Sequence, residues 1–319
     1  MKKQKTYNGP TQGEKIVERL ITLMKSGKAV YRKRWNPTST LGRHRNFITG
    51  KEYQGANPAL LEMELCLRET ELPLWCGRAQ AKAKGFIPKK GTQGAYVLRP
   101  NLVKKPVLDE NGTQQKDKEG NPEFTAFMRY KEVCVFNADD LRGVDEESQL
   151  ELNGLITAAT CNITITPEHE RIAKAEEIAK AWQEKVETKW GGDRAFYRPS
   201  TDHIQMPLRE QFISADALYG TWYHEMVHSS GHGSRLGRKI ANRKGDKNYA
   251  REELVAELGS FLICNRLSIS SDEKSTAAYL EGYIEVLKQG PKVLYKVLAD
   301  ASAASNLICG PEVIEEDKD

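Results

Sequence analysis

The sequence predicts an α+β chain in two domains, and three observations carry that expectation. Charge divides along the chain: residues 1–143 hold 27 basic against 15 acidic side chains, a net +12, and residues 144–319 are net −8. The second half reads as a few short strands followed by a run of helices, the order of an α+β domain. One of those helices carries His224-Glu225-Met226-Val227-His228, an H-E-x-x-H pattern. The length, 319 residues, suffices for two domains of ordinary size.

Composition excludes several classes. Hydrophobic content of 39% with 29% charged residues describes a globular chain. It has no apolar run of 18 residues and no signal-like apolar stretch near the N-terminus, so a cytoplasmic address without a membrane partner is expected. The six cysteines are scattered, with no C-x-x-C pair. They read as reduced thiols rather than a disulfide frame or zinc ribbon.

Taken in order, Glu14 to Ser26 is an amphipathic helix with an apolar stripe of Ile16, Val17, Leu20, Ile21, Leu23 and Met24, capped by Gly27. Helices follow near Pro58–Glu69 and Gly77–Gly85, then a basic, glycine-rich stretch containing Lys89 and Lys90. Strands are expected at Ala95–Arg99 and Arg129–Phe136, joined by a charged hairpin or flap with turn signals at Asn111-Gly112 and Gly120-Asn121-Pro122, for which a solvated loop is the favoured use and a nucleic-acid clamp the alternative. The acidic, polar stretch Asp145–Asn153 reads as a linker and Ile163–Thr166 as a short strand. A helix over Glu168–Lys189 follows, then a hairpin of Ala195–Tyr197 with His203–Met206. After the H-E-x-x-H helix come a basic loop, a helix over Tyr249–Leu267 and two closing helices near Asp272–Lys288 and Pro291–Ile308. These elements give a first domain over 8–143, a linker and first strand over 144–166, a second domain over 167–310 and an acidic tail over 311–319.

On a helix His224 and His228 lie one turn apart on one side. Two neutral imidazoles so placed suit one Zn²⁺, with Mn²⁺ or another divalent ion as the alternative, one per chain. Glu225 beside them is the general-base candidate. A third ligand is still needed. A histidine in the H-E-x-x-H-x-x-G-x-x-H pattern is excluded because that position holds Ser234. The helix carrying Glu252, Glu253 and Glu257 is the other source. Glu253 and Glu257 share a face one turn apart, with Glu252 turned about 100° away. Glu253 is taken as ligand and Glu257 as the carboxylate that orients a ligating histidine; exchange of the two roles stays open. His203 and His232 are weaker candidates for stabilising an oxyanion, and the strand bearing His203 could hold a substrate backbone.

In the first half, aromatic and cationic residues alternate from Tyr31 through Tyr53. Two readings stand: a single-strand binding surface in which rings stack on bases and cations track phosphates, or core aromatics under a basic surface.

The chain resembles the ArdC-type antirestriction proteins over nearly its whole length. Trp35-Asn36, Asn46-x-x-Thr49-Gly-Lys51, Tyr53-x-Gly55-x-Asn57, Trp75, Gln80-Ala81 and Val135-Phe-Asn137 are similar to that family's N-terminal pattern. His224-Glu225-x-x-His228, Gly231, Arg235-Leu236 and Glu253-Leu-Val-Ala-Glu-Leu258 are similar to its peptidase domain. Tyr31 and Asp140 depart from the pattern. The resemblance implies a basic α+β domain that binds single-stranded DNA, with duplex DNA as the alternative, followed by a gluzincin-like zinc metallopeptidase domain acting on an unidentified protein. It also implies protection of incoming DNA from restriction. The candidate DNA contacts are Tyr31, Arg32, Lys33, Arg34, Trp35, Arg43, Arg45, Asn46, Lys51, Tyr53, Asn57, Lys89 and Lys90. A non-proteolytic DNA shield is the competing reading. A nuclease fits less well, because phosphodiester chemistry favours oxygen-rich two-metal sites.

Overall fold

Thr11 opens the first helix: its hydroxyl accepts from the Glu14 N–H while the Glu14 carboxylate accepts from the Thr11 N–H, a reciprocal cap. Helix α1 (Gln12–Lys25) then buries Ile16, Val17, Leu20, Leu23 and Met24. The chain is seen in a computed structural model that describes residues 9–26, 43–68, 70–108, 113–116, 120–161, 166–240, 247–269 and 277–312. Gly27, the expected cap, and Ile163 to Ile165 of the expected strand lie outside them.

The first half continues through β1 (Arg45–Asn46), α2 (Asn57–Arg68), β2 (Leu74–Gly77), α3 (Arg78–Ala83), β3 (Phe86–Pro88), β4 (Ala95–Pro106), β5 (Phe124–Asn137) and β6 (Leu141–Gly143). Four strands pair in the order β1-β2-β5-β4, and β3 pairs with β6. Strands β4 and β5 run well beyond the expected segments, in register from Ala95 opposite Val135 to Pro106 opposite Phe124. Where a linker is expected, Glu146–Cys161 forms helix α4. Its carboxylates at Glu146 and Glu147 occupy the first turn, where the helix dipole favours them. Leu152 closes a small core with Phe47, Leu74, Phe86, Phe136 and Leu141.

The second half comprises α5 (Glu168–Gln183), β7 (Glu187–Trp190), β8 (Phe196–Arg198), β9 (His203–Met206), α6 (Ala215–Ser230), α7 (Lys247–Leu267), α8 (Ala277–Leu287) and α9 (Pro291–Cys309). The expected helix to Lys189 stops at Gln183; Thr188 alternates inward from exposed neighbours on a strand instead. That strand changes the sheet. The order is β7-β9-β8, with β7 parallel and β8 antiparallel to β9. The His203 strand is therefore central, its backbone paired on both sides, and β8 is an edge.

The largest core is not confined to one half. Ile16, Leu20, Leu23, Leu60 and Met63 pack in the same cluster as Trp182, Trp222, Met226, Leu258, Leu262, Leu294 and Leu298. Helix α1 meets α8 and α9, and α2 meets α7, so the buried apolar surface crosses the boundary expected at residue 143. Among the described residues no helix is long and apolar enough to cross a membrane.

The α6–α7 contact is unusually close at Gly259. A Cβ there would lie 2.9 Å from both Val227 methyls, inside the turn between His224 and His228. Alanine normally stabilises a helix interior relative to glycine by roughly 0.5–1 kcal/mol. At Gly259 the sign reverses. Gly259→Ala is expected to cost about 1–3 kcal/mol in thermal or denaturant unfolding, and an unchanged or raised midpoint would refute the close packing.

Candidate metal centre

Helix α6 begins at Ser214, whose hydroxyl accepts from the Ala217 N–H, and three aromatic side chains fix its roll. Trp222 Nε1 donates to Thr188 Oγ1 on β7 at 3.2 Å, Tyr223 donates to the Ala175 carbonyl on α5 at 2.8 Å, and Trp182 Nε1 donates to Ser229 Oγ at 2.9 Å. With α6 held this way, His224 and His228 share one side, ring centroids 4.8 Å apart. Their Nε2 atoms are 3.1 Å apart. Glu253 on α7 puts one carboxylate oxygen 3.7 Å from His224 Nε2 and the other 3.6 Å from His228 Nε2.

These three side chains can hold a metal ion. Donors bound at about 2.0–2.1 Å to a tetrahedral ion stand about 3.3 Å apart; the two imidazole nitrogens are at that spacing, and the Glu253 carboxylate brings one oxygen near each of them. The donor set, two imidazoles and one carboxylate, suits zinc and other borderline divalent ions. Burial pushes the Glu253 carboxyl up. The His224 hydrogen bond, the two imidazoles and the Tyr249 hydroxyl outweigh it and hold Glu253 at about 2, ready to ligate.

The carboxylate that reaches a ligating histidine from behind is Glu252: its Oε1 lies 3.4 Å from His228 Nδ1. Glu252 is itself gripped by Arg238, whose Nη2 donates at 2.7 Å and Nε at 3.1 Å, while the same guanidinium donates to Ser230 Oγ and the Val227 carbonyl. Burial opposes ionisation of Glu252, but His228 and Arg238 keep it lowered. The role expected of Glu257 is thus filled at His228 by Glu252. Nδ1 and Nε2 of one ring point in different directions, so adjacent positions on α7 reach both. Glu257 sits half-buried a turn beyond Glu253.

The centre lies in a cleft of about 690 Å³ whose other walls are Glu225, Tyr249, Ile240 and residues 195–200, which include edge strand β8. Arg235 locks the β8–β9 hairpin to the end of α6. It donates to Ser229 O and to Asp202, whose other bond comes from the Tyr197 hydroxyl at 2.7 Å. Tyr249 was legible in principle, one turn before Glu253 on the same face; Arg238 carried no sequence signal. His203, bonded to Thr201 Oγ1, and His232, bonded to Ser234 Oγ, do not line this cleft among the described residues.

The DNA-contact candidates scatter more widely. Tyr31, Arg32, Lys33, Arg34 and Trp35 lie outside the described residues. Arg43 pairs with Glu52 at 2.9 Å and donates to the Arg266 carbonyl, Arg45 is half-buried on β1, and Lys51, Lys89 and Lys90 are exposed. Asn46 accepts from Ile48 and Thr49 N–H and donates to Gln80; Asn57 brackets the Leu98 backbone with both ends of its amide. Tyr53 packs against the small core around Trp75, its hydroxyl pKa raised by burial. These three side chains hold the fold.

The helix pair, the three-stranded sheet and the triad describe a zincin-like protein, and residues 173–301 match the zincin-like metallopeptidase family, which implies a divalent ion. Residues 11–136 match the N-terminal domain of anti-restriction factor ArdC. With both domains in that order, the chain belongs to the ArdC-type antirestriction family. Crystal structures of the antirestriction ArdC protein from the R388 plasmid, metal-free and Mn(II)-bound, share its fold. Their TM-scores are 0.63 and 0.62 at 24% identity, covering 94% of this chain and 97% of theirs. Two Escherichia coli proteins named DNA primase TraC are 33% and 32% identical over 90% and 92% of this chain, which spans only 19% and 27% of their length. An uncharacterized protein of Sinorhizobium fredii, y4eC, is 27% identical over 90% of this chain and 88% of its own.

Removing the carboxylate behind His228 is expected to weaken metal binding about 10–100-fold. Glu252→Gln should do so in a competition titration against a chromophoric chelator, and Arg238→Gln should follow in the same direction. Wild-type affinity in Glu252→Gln would show that His228 is oriented by something else.

Proposed function

We propose that the chain is an antirestriction protein whose first half binds single-stranded DNA and whose second half hydrolyses a peptide bond with zinc. The observation that carries the peptidase reading is the convergence of three donor atoms, one each from His224, His228 and Glu253, within 4.8 Å of one another beside Glu225 in an open cleft. His224, His228 and Glu253 would hold the ion. Bound there, it supplies a Lewis acid that polarises the scissile carbonyl and acidifies a water. Glu225 takes the proton of the attacking water and returns it to the leaving amine, so the acid–base cycle closes on one side chain. Edge strand β8 offers unpaired backbone groups along the cleft, against which a substrate peptide adds as an antiparallel strand. The sequence expectation gave that task to the His203 strand, which is central; β8 takes it here.

The DNA reading is supported by the net +12 of the first half, by its match to the ArdC N-terminal domain and by the DNA-related name of the TraC relatives. The same charge favours a second reading, a shield that blocks a nuclease by occupying DNA while the metal domain has a structural or regulatory part.

Two measurements separate these readings. After chelator treatment and reloading, the wild-type chain is expected to hold one zinc per molecule and His224→Ala to lose it; equal metal content in both would remove the centre. Glu225→Gln should keep the metal and DNA binding yet lose protection of DNA in a restriction assay. Full protection by that variant would sink the proteolytic reading and leave the shield.

A further inference from the structure

Strands β4 and β5 outrun the sheet that contains them. β2 pairs with β5 only over Val135–Asn137, whereas the β4–β5 register continues to Pro106 opposite Phe124. From Arg99 outward most described side chains of both strands are exposed, including Arg99, Asn101, Lys105, Thr125, Arg129 and Lys131. A two-stranded ribbon projecting from its sheet is marginal by itself in water.

Directly opposed residues of an antiparallel pair point to the same face, so the register sorts the ribbon into two. One face carries Pro100 with Tyr130 and Pro106 with Phe124. Its root leans on the helices: Leu98 is in the large core, Tyr130 packs against that core, and Glu132 accepts from the Tyr295 hydroxyl on α9 at 2.6 Å. The other face carries Arg99 opposite Lys131, Asn101 opposite Arg129 and Lys105 opposite Thr125. Glu123, near the outer end, is the one carboxylate on that face among the described residues.

Opposing Arg99 to Lys131 is destabilising, because like charges face each other across the ladder. A bound polyanion reverses that sign. Same-face residues recur about every 6.8 Å, so the cations are strung over about 20 Å of ribbon, a line suited to a chain of phosphates rather than to a point ligand. The ribbon is poorly built for taking up a peptide strand, since Pro100, Pro106 and neighbouring lysines blunt the β4 edge. At the far end Phe124, 51% exposed, offers a ring that a flexible single strand can wrap around to stack upon.

We propose that the basic face of the β4–β5 ribbon is an arm that binds single-stranded DNA, with phosphates tracking Arg99, Lys131, Arg129 and Lys105. This rests on the reading that the first half binds single-stranded DNA, and it assigns to the hairpin contact residues outside the candidates drawn from the sequence. The test uses the full chain and the anisotropy of a labelled oligothymidylate over a salt series. The variant R99Q/K105Q/R129Q/K131Q is expected to lose affinity, and its log–log salt slope to shrink by about 2–3, near 0.7 for each phosphate no longer neutralised. K174Q/K180Q/K288Q/K292Q removes the same charge from exposed positions of the second half and should keep the wild-type slope. Lys131→Glu guards against misfolding: it creates an opposite-charge pair with Arg99, steadies the ribbon, and should still cut the slope. If wild type shows no salt-dependent binding, both the DNA reading and the arm fail. If wild type binds and the ribbon variants match it, the arm alone fails. An equal loss in the control variant also overturns the arm, because charge in general would then be responsible.

Discussion

The metal centre depends on how closely two helices can approach. His224 and His228 both belong to α6, so their spacing is a property of one helix. Glu253 arrives from α7, and its oxygens reach 3.6 and 3.7 Å from the imidazole nitrogens only because α7 presses against α6 at Gly259 over Val227. A backbone contact thus sets the third ligand. The same approach brings Glu252 to His228 Nδ1 and lets Arg238 span both helices, bonding Glu252 on one and the Val227 carbonyl on the other. The electrostatics follow the packing: the buried carboxylates and imidazoles are tolerable together because each finds an oppositely charged or hydrogen-bonding neighbour.

What was legible in the sequence follows from what each signal encodes. The α6 helix and the histidine pair could be read because an i, i+4 spacing is a local property that survives in any fold, whereas the same spacing left Glu253 and Glu257 exchangeable. The part taken by Glu252 could not, because it depends on the direction from which a second helix meets a ring nitrogen. Strand β7 was hidden because Val186 falls on the apolar stripe of α5 and extends it, while the turn at 184–186 that ends the helix contains neither glycine nor proline. Helix α4 was hidden for the opposite reason. It buries little beyond Leu152 and Ser148, so its composition is that of a solvated segment.

The charge split reads as two domains, yet the largest core joins them. Apolar side chains of α1 and α2 complete a cluster whose greater part belongs to α5 through α9, and Arg43 and Gly55 of the first half bond the Arg266 carbonyl and the Glu312 carboxylate of the second. An interface of buried leucines and isoleucines resists hinge motion more than a polar one does. Any DNA held by the first half would therefore have a defined position relative to the cleft, and the two proposed activities would be coupled through the shared core.

That coupling bears on what the cleft accepts. Its walls carry the carboxylates of Glu225, Glu252 and Glu253 and the edge of β8. Arg238 offsets the charge of Glu252, Arg198 also lines the cleft, and a divalent ion held by Glu253 would offset the remaining carboxylates, so backbone pairing rather than charge is left to select what enters. A peptide backbone has no net charge to repel and finds in β8 a row of hydrogen-bonding groups at its own spacing. The net positive charge, by contrast, lies in the first half of the chain, +12 against −8. On the proposed reading, the net charge of the first half draws phosphates, and the edge of β8 in the other half holds a polypeptide.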